Sequence, residues 1–400
     1  MKKNADRFVP FCGIMAIYSD YLEKGFDWKS LNEERKKQLT TISRLRGGRS
    51  VFAYASAIGK QAPNAIDFDD LLPVQDQIRN LSGKQLDVII ETPGGFAEVV
   101  EDIVKHIRSC FEEVAVIVPG QAKSAGTIMA MAADEILMES TSALGPIDAQ
   151  IIQAGKKYSA HAYLEGLEKI KKEVVDTGQL NRAYIPILQN ISPGEIQNCE
   201  NLQKFSKRLV TDWLSAYKFR TWTTHSTTGK PVTSAEREAR AAEIAEKLCD
   251  HGHWLTHGRS IGIADLRGMK LRITDYQETP ELCDAIRRYY VLLKMTFDTS
   301  NTYKIYETPN SQVYKFIQQT MPPLKAVPPN VSNALFDFTC PNCQTTTKIQ
   351  ANLKPKAPLV QGAVPFPTDN VFVCPACSNR NDLTKIRNQI EAQARRKIIQ

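Results

Sequence analysis

Between residues 50 and 140 the chain repeats one pattern: a short run of apolar, β-prone residues, a turn, then an apolar stripe of helical period. The runs are SVFAYAS, LDVIIET, VAVIVPG and EILMES, and helical patterns lie between them. A helix that returns the chain across a sheet leaves successive strands parallel, so the pattern predicts a layered α/β core. From about residue 160 to 300 the texture turns helical, with YLEGLEKIKKEVV, CENLQKFSKRLVTDWLSAY, SAEREARAAEIAEKL and PELCDAIRRYYVLLKMTF each partly periodic. There is no internal repeat and no long low-complexity tract.

Four hundred residues, 42% hydrophobic and 24% charged, are enough for two domains or for one with an appendage. The boundary is expected at MPPLKAVPPN, residues 321–330, whose four prolines disfavour helix and central strand alike. That divides the chain into residues 1–320, with a core over about 40–275, and a module at 331–400. The N-terminus has two lysines before an apolar stretch, but Pro10 and Gly13 break it and no small-residue cleavage site follows. No window approaches the roughly 20 apolar residues that a membrane span needs, so a cytoplasmic protein is expected.

Nine cysteines divide into five singles (Cys12, Cys110, Cys199, Cys249 and Cys283), read as small buried hydrophobes, and two CPxC knuckles. Cys340 and Cys343 form the first knuckle and Cys374 and Cys377 the second, about thirty residues on. Four thiolates at this spacing suit tetrahedral, structural Zn2+, and so short a segment needs the metal to fold. An iron–sulfur cluster or redox dithiol is less suited, since no βαβ pattern surrounds either pair. Each knuckle follows a strand-like run, ALFDFT or NVFV, and the segment resembles a zinc ribbon.

Residues 321–400 hold ten Lys/Arg against four Asp/Glu, and the last helical pattern carries Lys385, Arg387, Arg395, Arg396 and Lys397. Nucleic acid is an alternative partner for such a module. With few aromatics for base stacking, the stripe of Ile386, Ile390 and Ala394 instead suits packing on a partner protein.

Two motifs sit at strand ends, where open α/β sheets place chemistry. Thr92-Pro93-Gly94-Gly95 precedes a helix with the stripe Phe96, Val99, Val100, Ile103, Val104, Ile107 and Phe111. A glycine pair there can offer backbone N–H groups to a developing oxyanion, although it can equally be a plain strand-to-helix turn. The second motif, Lys123-Ser124-Ala125-Gly126-Thr127, opens a helix of small residues. Its serine suits a nucleophile elbow, and it also suits an ordinary helix N-cap. His106 falls on the polar side of the first helix and reads as surface or interface.

Taken in order with ADEILM and Leu144-Gly145-Pro146-Ile147-Asp148-Ala149-Gln150, the motifs ETPGG and AKSAGT make the chain resemble the Clp/crotonase superfamily. The resemblance is closest to the serine dehydrogenase proteinase family, related to the signal peptide peptidase A group, and extends through HGRSIGIADLRGMKLRI to about residue 275. It implies a Clp/crotonase-like fold with a helical extension, a nucleophile at Ser124, and an oxyanion hole of the Gly95 and Ala125 N–H groups. An ATP-independent serine endopeptidase acting through an acyl-enzyme on protein or peptide substrates follows. The family also suggests a homo-oligomer and no organic cofactor. The alternatives are a catalytically inactive scaffold of the same fold and a nucleic-acid-associated protein.

The general base is open at this level. Lys123 neighbours Ser124, but successive side chains on a helix diverge by about 100°. Where the Clp proteolytic subunit would put its histidine, this chain reads Pro146-Ile147-Asp148, which counts against a triad of that kind. Relatives in the signal peptide peptidase group draw a lysine from a later helix, and of Lys169, Lys171 and Lys172 the candidate is Lys171, nearest the stripe of Tyr163, Leu167, Ile170 and Val174. His251, His253 and His257 cluster in DHGHWLTHGRS, which reads as a loop without a carboxylate-rich partner, and neither a metal nor a catalytic role is assigned to them.

Overall fold

The four apolar runs form parallel strands, β1 (Ser50–Ser56), β2 (Gln85–Glu91), β3 (Glu113–Ile117) and β4 (Glu135–Met138). Their residues after the first are almost all buried, as expected when helices cover both faces of a parallel sheet. Register aligns Phe52, Val88, Val116 and Ile136 across the four strands, and all four belong to the main hydrophobic core. Short β5 (Thr274–Asp275) extends one edge, parallel to β4. On the other side β6 (Thr302–Glu307) runs antiparallel to β1, with Tyr54 opposite Tyr306, and β7 (Gln312–Phe316) completes the order β7-β6-β1-β2-β3-β4-β5.

This computed structural model describes residues 17–399 apart from 154–155, 318–330, 344 and 356. The N-terminal stretch before residue 17 and the proline-rich 321–330, on which two sequence expectations rest, lie outside the described residues. Two compact units emerge, neither continuous in sequence. One comprises Leu39–Ile286 with Tyr303–Lys315 and holds the sheet; the other comprises the described residues within Met1–Gln38, Arg287–Thr302 and Phe316–Gln400.

Two buried carboxylates brace the sheet unit. Asp87, on β2, meets the guanidinium groups of Arg46 and Arg49, Arg46 Nε at 2.7 Å. Asp70 is fully buried, with Lys304 Nζ 2.7 and 2.9 Å from its two oxygens, Tyr54 Oη donating at 2.7 Å and the Tyr306 hydroxyl also donating. A buried carboxylate with this many donors is fixed in place, whereas removing one partner would strand a charge. Lys304 Nζ also donates to the Ala65 carbonyl at 2.6 Å, which ties the segment before Ile66 to β6.

The helix Ala97–Cys110 buries Val99, Val100, Ile103, Val104 and Ile107 as its stripe predicts. Phe96, counted in that stripe, is instead the N-cap residue, 53% exposed, with its ring 5.8 Å from that of Phe68. Long helices follow at Ala160–Thr177, Pro193–Trp213, Ser234–Cys249 and Pro280–Asp298, and Ser192 and Thr233 close capping boxes on the second and third. Of the single cysteines, Cys199 and Cys283 are buried as expected, but Cys110 at a helix end is exposed.

In the second unit, Ile17, Tyr21, Leu31, Leu292 and Met295 pack as a small core. The C-terminal segment has a core of its own. The hairpin Asn333–Thr339 and Thr346–Asn352, the short strands Val371–Val373 and Arg380–Asp382, and the helix Thr384–Ala394 enclose Phe336, Phe338, Ile349, Phe372 and Leu383. Ile386, Ile390 and Ala394 belong to that same core, so the stripe expected to meet a partner is buried within the module.

Candidate active site

The two motifs meet because the segments after β2 and β3 pair. Thr92 N–H donates to the Gln121 carbonyl at 2.9 Å, and Lys123 N–H to the Thr92 carbonyl at 3.0 Å, so PGG and KSAG lie side by side. Gly94 adopts φ 103°, and a Cβ there would stand 2.7 Å from that of Ser124. Gly95 has φ 156° and passes so close to the Ile66 backbone that a Cβ would collide with it. Ile66 clamps this turn from both sides, its N–H donating to the Gly94 carbonyl at 2.7 Å and its carbonyl accepting from Phe96 N–H at 3.0 Å. Only glycine fits both positions.

Ser124 stands at the N-terminus of the helix Ala125–Met131 with φ 49° and ψ −113°, outside the regions an L-residue adopts freely. Its side chain makes no capping hydrogen bond, which removes the ordinary N-cap explanation for a serine here. Among the described residues, the N–H groups of Gly95 and Ala125 have no protein acceptor. A strained serine and two open N–H donors share one cleft of about 630 Å³.

Asp148 and His257 line the same cleft. Asp148 is 3% exposed, and His257 Nδ1 lies 3.7 Å from its Oδ2. His251 Nδ1 is 3.0 Å from that same oxygen, and Ser159 Oγ donates to Oδ1 at 2.5 Å. Burial alone would push the Asp148 carboxyl up. Contact with the His257 ring, the Ser159 hydrogen bond and the two imidazoles outweigh it and hold the group below the ordinary carboxylate range. HGHW is a short helix, His251–Trp254, capped by Asp250, rather than a loop.

The carboxylate that the histidines lack in sequence is thus Asp148, 103 residues from His251. The chain brings them together by pairing Leu144 with Ile261 through two reciprocal 3.0 Å hydrogen bonds. Lys123 reinforces the junction. Its ammonium donates to the carbonyls of Leu144 and Arg259, each at 3.1 Å, and to Ser260 Oγ at 2.9 Å, using all three protons. Burial pushes this amine below the ordinary lysine value.

Lys171 sits elsewhere. It is exposed on the helix Ala160–Thr177, ion-paired to Glu168 at 3.2 Å, and of that helix only Ala160 is buried. The stripe that singled it out is half-buried at most.

In the C-terminal module the four knuckle cysteines converge, every Sγ within 4.8 Å of the others. Cys340 Sγ is 3.6 Å from Cys377 Sγ, and Cys343 Sγ 3.6 Å from Cys374 Sγ. A tetrahedral ion with metal–sulfur bonds of about 2.3 Å separates its sulfurs by about 3.8 Å, so the donor set fits such an ion.

A family model described as ClpP-like SDH-type serine proteinase matches residues 27–231, just over half of the chain. The chain belongs to this family. Two uncharacterized proteins of Methanocaldococcus jannaschii are similar to it. One is 38% identical over 188 residues, 47% of this chain and 51% of that protein; the other is 35% identical over 118 residues, 30% and 38% respectively. The chain therefore spans about half the length, or less, of the curated relatives it matches.

Among solved structures, a mutant of the membrane-bound stomatin-specific protease 1510-N aligns with 55% of this chain and 79% of its own at 14% identity, TM-score 0.32. A mutant of ClpP1 from Listeria monocytogenes aligns with 60% and 98% at 11% identity, TM-score 0.30. Family membership makes the ClpP-like proteinase fold the frame for Ser124, Gly95 and Ala125. Among the described residues, no helix is long and apolar enough to cross a membrane.

Proposed function

We propose that the chain is a serine endopeptidase, independent of ATP, in which Ser124 Oγ attacks the scissile carbonyl and forms an acyl-enzyme. The observation that carries this reading is the shared cleft: a strained, uncapped serine beside two open N–H donors and a histidine backed by a buried carboxylate. His257, with Nδ1 toward Asp148, has Nε2 free to accept the Ser124 proton and return it to the leaving amine. Asp148 stays ionised and stabilises the imidazolium. His251 and Ser159 fix its carboxylate. The Gly95 and Ala125 N–H groups then bind the oxyanion, a contribution of about 3–4 kcal/mol per donor to the transition state.

The cleft wall of Ile128, Ile147, Leu202 and Phe205 supports an unfolded or extended apolar peptide as substrate. The ion suited to the four cysteines is Zn2+, with a structural role: four thiolates complete its coordination and leave no open position for catalysis. Assembly as a homo-oligomer and a cytoplasmic location complete the reading.

The test is fluorophosphonate labelling followed by intact-mass analysis, alongside cleavage of casein. The expected result is one adduct per chain, absent in Ser124→Ala, with cleavage lost in the same variant. A wild type that neither labels nor cleaves would leave the scaffold reading standing.

A further inference from the structure

Thr274 opens β5, and the residues leading into it alternate: Leu271 and Ile273 are buried, while Lys270 and Arg272 face outward with Thr274. A period of two puts Arg272 and Thr274 on one side of the extended segment, and Lys270 stands in the turn before it, at φ 63°. They line a second cleft of the sheet unit, about 590 Å³, at the N-terminal ends of β4 and β5, whereas Ser124 follows the C-terminal end of β3. Lys218 enters the same cleft from the end of a five-residue π-turn, Leu214–Lys218, a rare geometry. Arg240 and Trp222 complete the wall.

Two carboxylates also line this cleft, and both are already satisfied. Asp134 receives Arg108 at 2.7 Å, Arg220 at 2.8 Å and the Val114 N–H at 2.9 Å. Glu135 is bound by Arg46 at 2.7 Å and by the Thr274 hydroxyl at 2.7 Å. Arg240 pairs with Glu243 at 2.6 Å. Among the described residues, Lys218, Lys270 and Arg272 have no carboxylate within ion-pair distance. The lining itself holds four cations, Lys218, Arg240, Lys270 and Arg272, against the two carboxylates of Asp134 and Glu135. The Lys218 amine is half-buried, and burial lowers it to about 8 although Glu135 and Asp134 oppose the shift. A concave surface with an excess of one sign focuses potential and draws in the opposite charge.

We propose that this cleft binds a ligand carrying two or more linked phosphates, with Lys218 and Lys270 as point charges and Arg272 as a forked donor. Linked phosphates suit three cations that make no direct ion pair, and guanidinium geometry matches phosphate oxygens two at a time. The hydroxyls of Thr221 and Ser226, also in the lining, supply neutral donors. The site stands apart from Ser124 and does not depend on the peptidase reading.

Isothermal titration of the full chain with pyrophosphate, at constant ionic strength, tests it. One saturable site is expected, weakened about tenfold or more in Arg272→Gln and in Lys218→Met and unaltered in Lys84→Gln. Arg272 is exposed, so Arg272→Gln leaves folding intact, which a melting curve checks. Adenosine triphosphate in the same titration separates two sources of such a ligand. Equal affinity assigns recognition to the phosphates alone, tighter binding adds the Trp222 ring, and both outcomes support the site. Absence of saturable binding up to about 10 mM pyrophosphate, or binding that survives both substitutions, overturns it.

Discussion

The ammonium of Lys123 donates to Ser260 Oγ at 2.9 Å and so ties the residue preceding Ser124 to the loop that carries His257. Its other two protons go to the Leu144 and Arg259 carbonyls, one on each side of the same junction. This makes Lys123 a positioning residue, because every proton on its amine is committed away from the serine. Lys123→Met removes three hydrogen bonds across this junction, although the Leu144 carbonyl keeps the Ile261 N–H as donor, at about 1–3 kcal/mol of stability. It lowers kcat with little change in KM, and fluorophosphonate labelling slows but still occurs. Labelling that vanishes as completely as in Ser124→Ala would make Lys123 itself the base.

The proposed base is tested directly by His257→Gln and Asp148→Asn. Each is expected to reduce kcat on the order of 10⁴-fold with KM nearly constant, since both act in the proton transfer rather than in substrate binding. His251→Gln, which frees one bond to Asp148 but leaves His257 in the cleft, costs far less. Steady-state kinetics on a fluorogenic peptide reads all three. If His251→Gln proves the most damaging, the roles of the two histidines are exchanged.

Backbone strain at Ser124 predicts an exchange of stability for function. Replacing a non-glycine residue at φ 49° by glycine relieves on the order of 1 kcal/mol, so Ser124→Gly melts about 2–4 °C higher than Ser124→Ala while both are inactive. Gly95→Ala has the opposite sign, because the new methyl must displace the Ile66 backbone. Differential scanning calorimetry of the three variants decides.

Metal occupancy gives a fourth prediction. Elemental analysis should find one zinc per chain, and cobalt substitution should produce thiolate charge-transfer bands. Cys343→Ser weakens binding, and a chelator removes amide-exchange protection from residues 333–352. Unchanged protection in metal-free protein would mean that the apolar core around Phe336 and Ile349 holds the module alone.

Lys218 links stability to pH. Its amine is lowered by burial to about 8 from the ordinary 10.5, with Glu135 and Asp134 opposing that shift and Arg272 adding to it. Between those two values the unfolded chain binds more protons than the folded one, so stability rises with pH across that window. Lys218→Met flattens this segment of the profile, as urea titrations from pH 7.5 to about 10.5 would record.

What was legible in the sequence followed from local rules. Four strands and the PGG and KSAG turns could be read because period, turn residues and strand ends all act within ten residues. The cysteine knuckles could be read because their spacing is itself the ligand geometry. Asp148 and His257 could not be paired, because strand-like bridging at Leu144 and Ile261 brings them together from more than a hundred residues apart. The helical stripe beside Lys171 packs weakly, and Ile386 and Ile390, apolar enough to suit a partner, are the core of their own module. Periodicity reports that a face is apolar without saying what covers it.

Asp70 and its ring of donors have a temporal consequence. The turn that forms the proposed oxyanion hole leans on Ile66, and the segment beside Ile66 is tied down by Lys304, on a strand made some 180 residues after Ser124. A nascent chain emerging from the ribosome therefore has its serine and both glycines long before it has the ammonium that neutralises Asp70. On the proposed reading, the turn that would bind the oxyanion is braced only after the rest of the sheet unit has been translated.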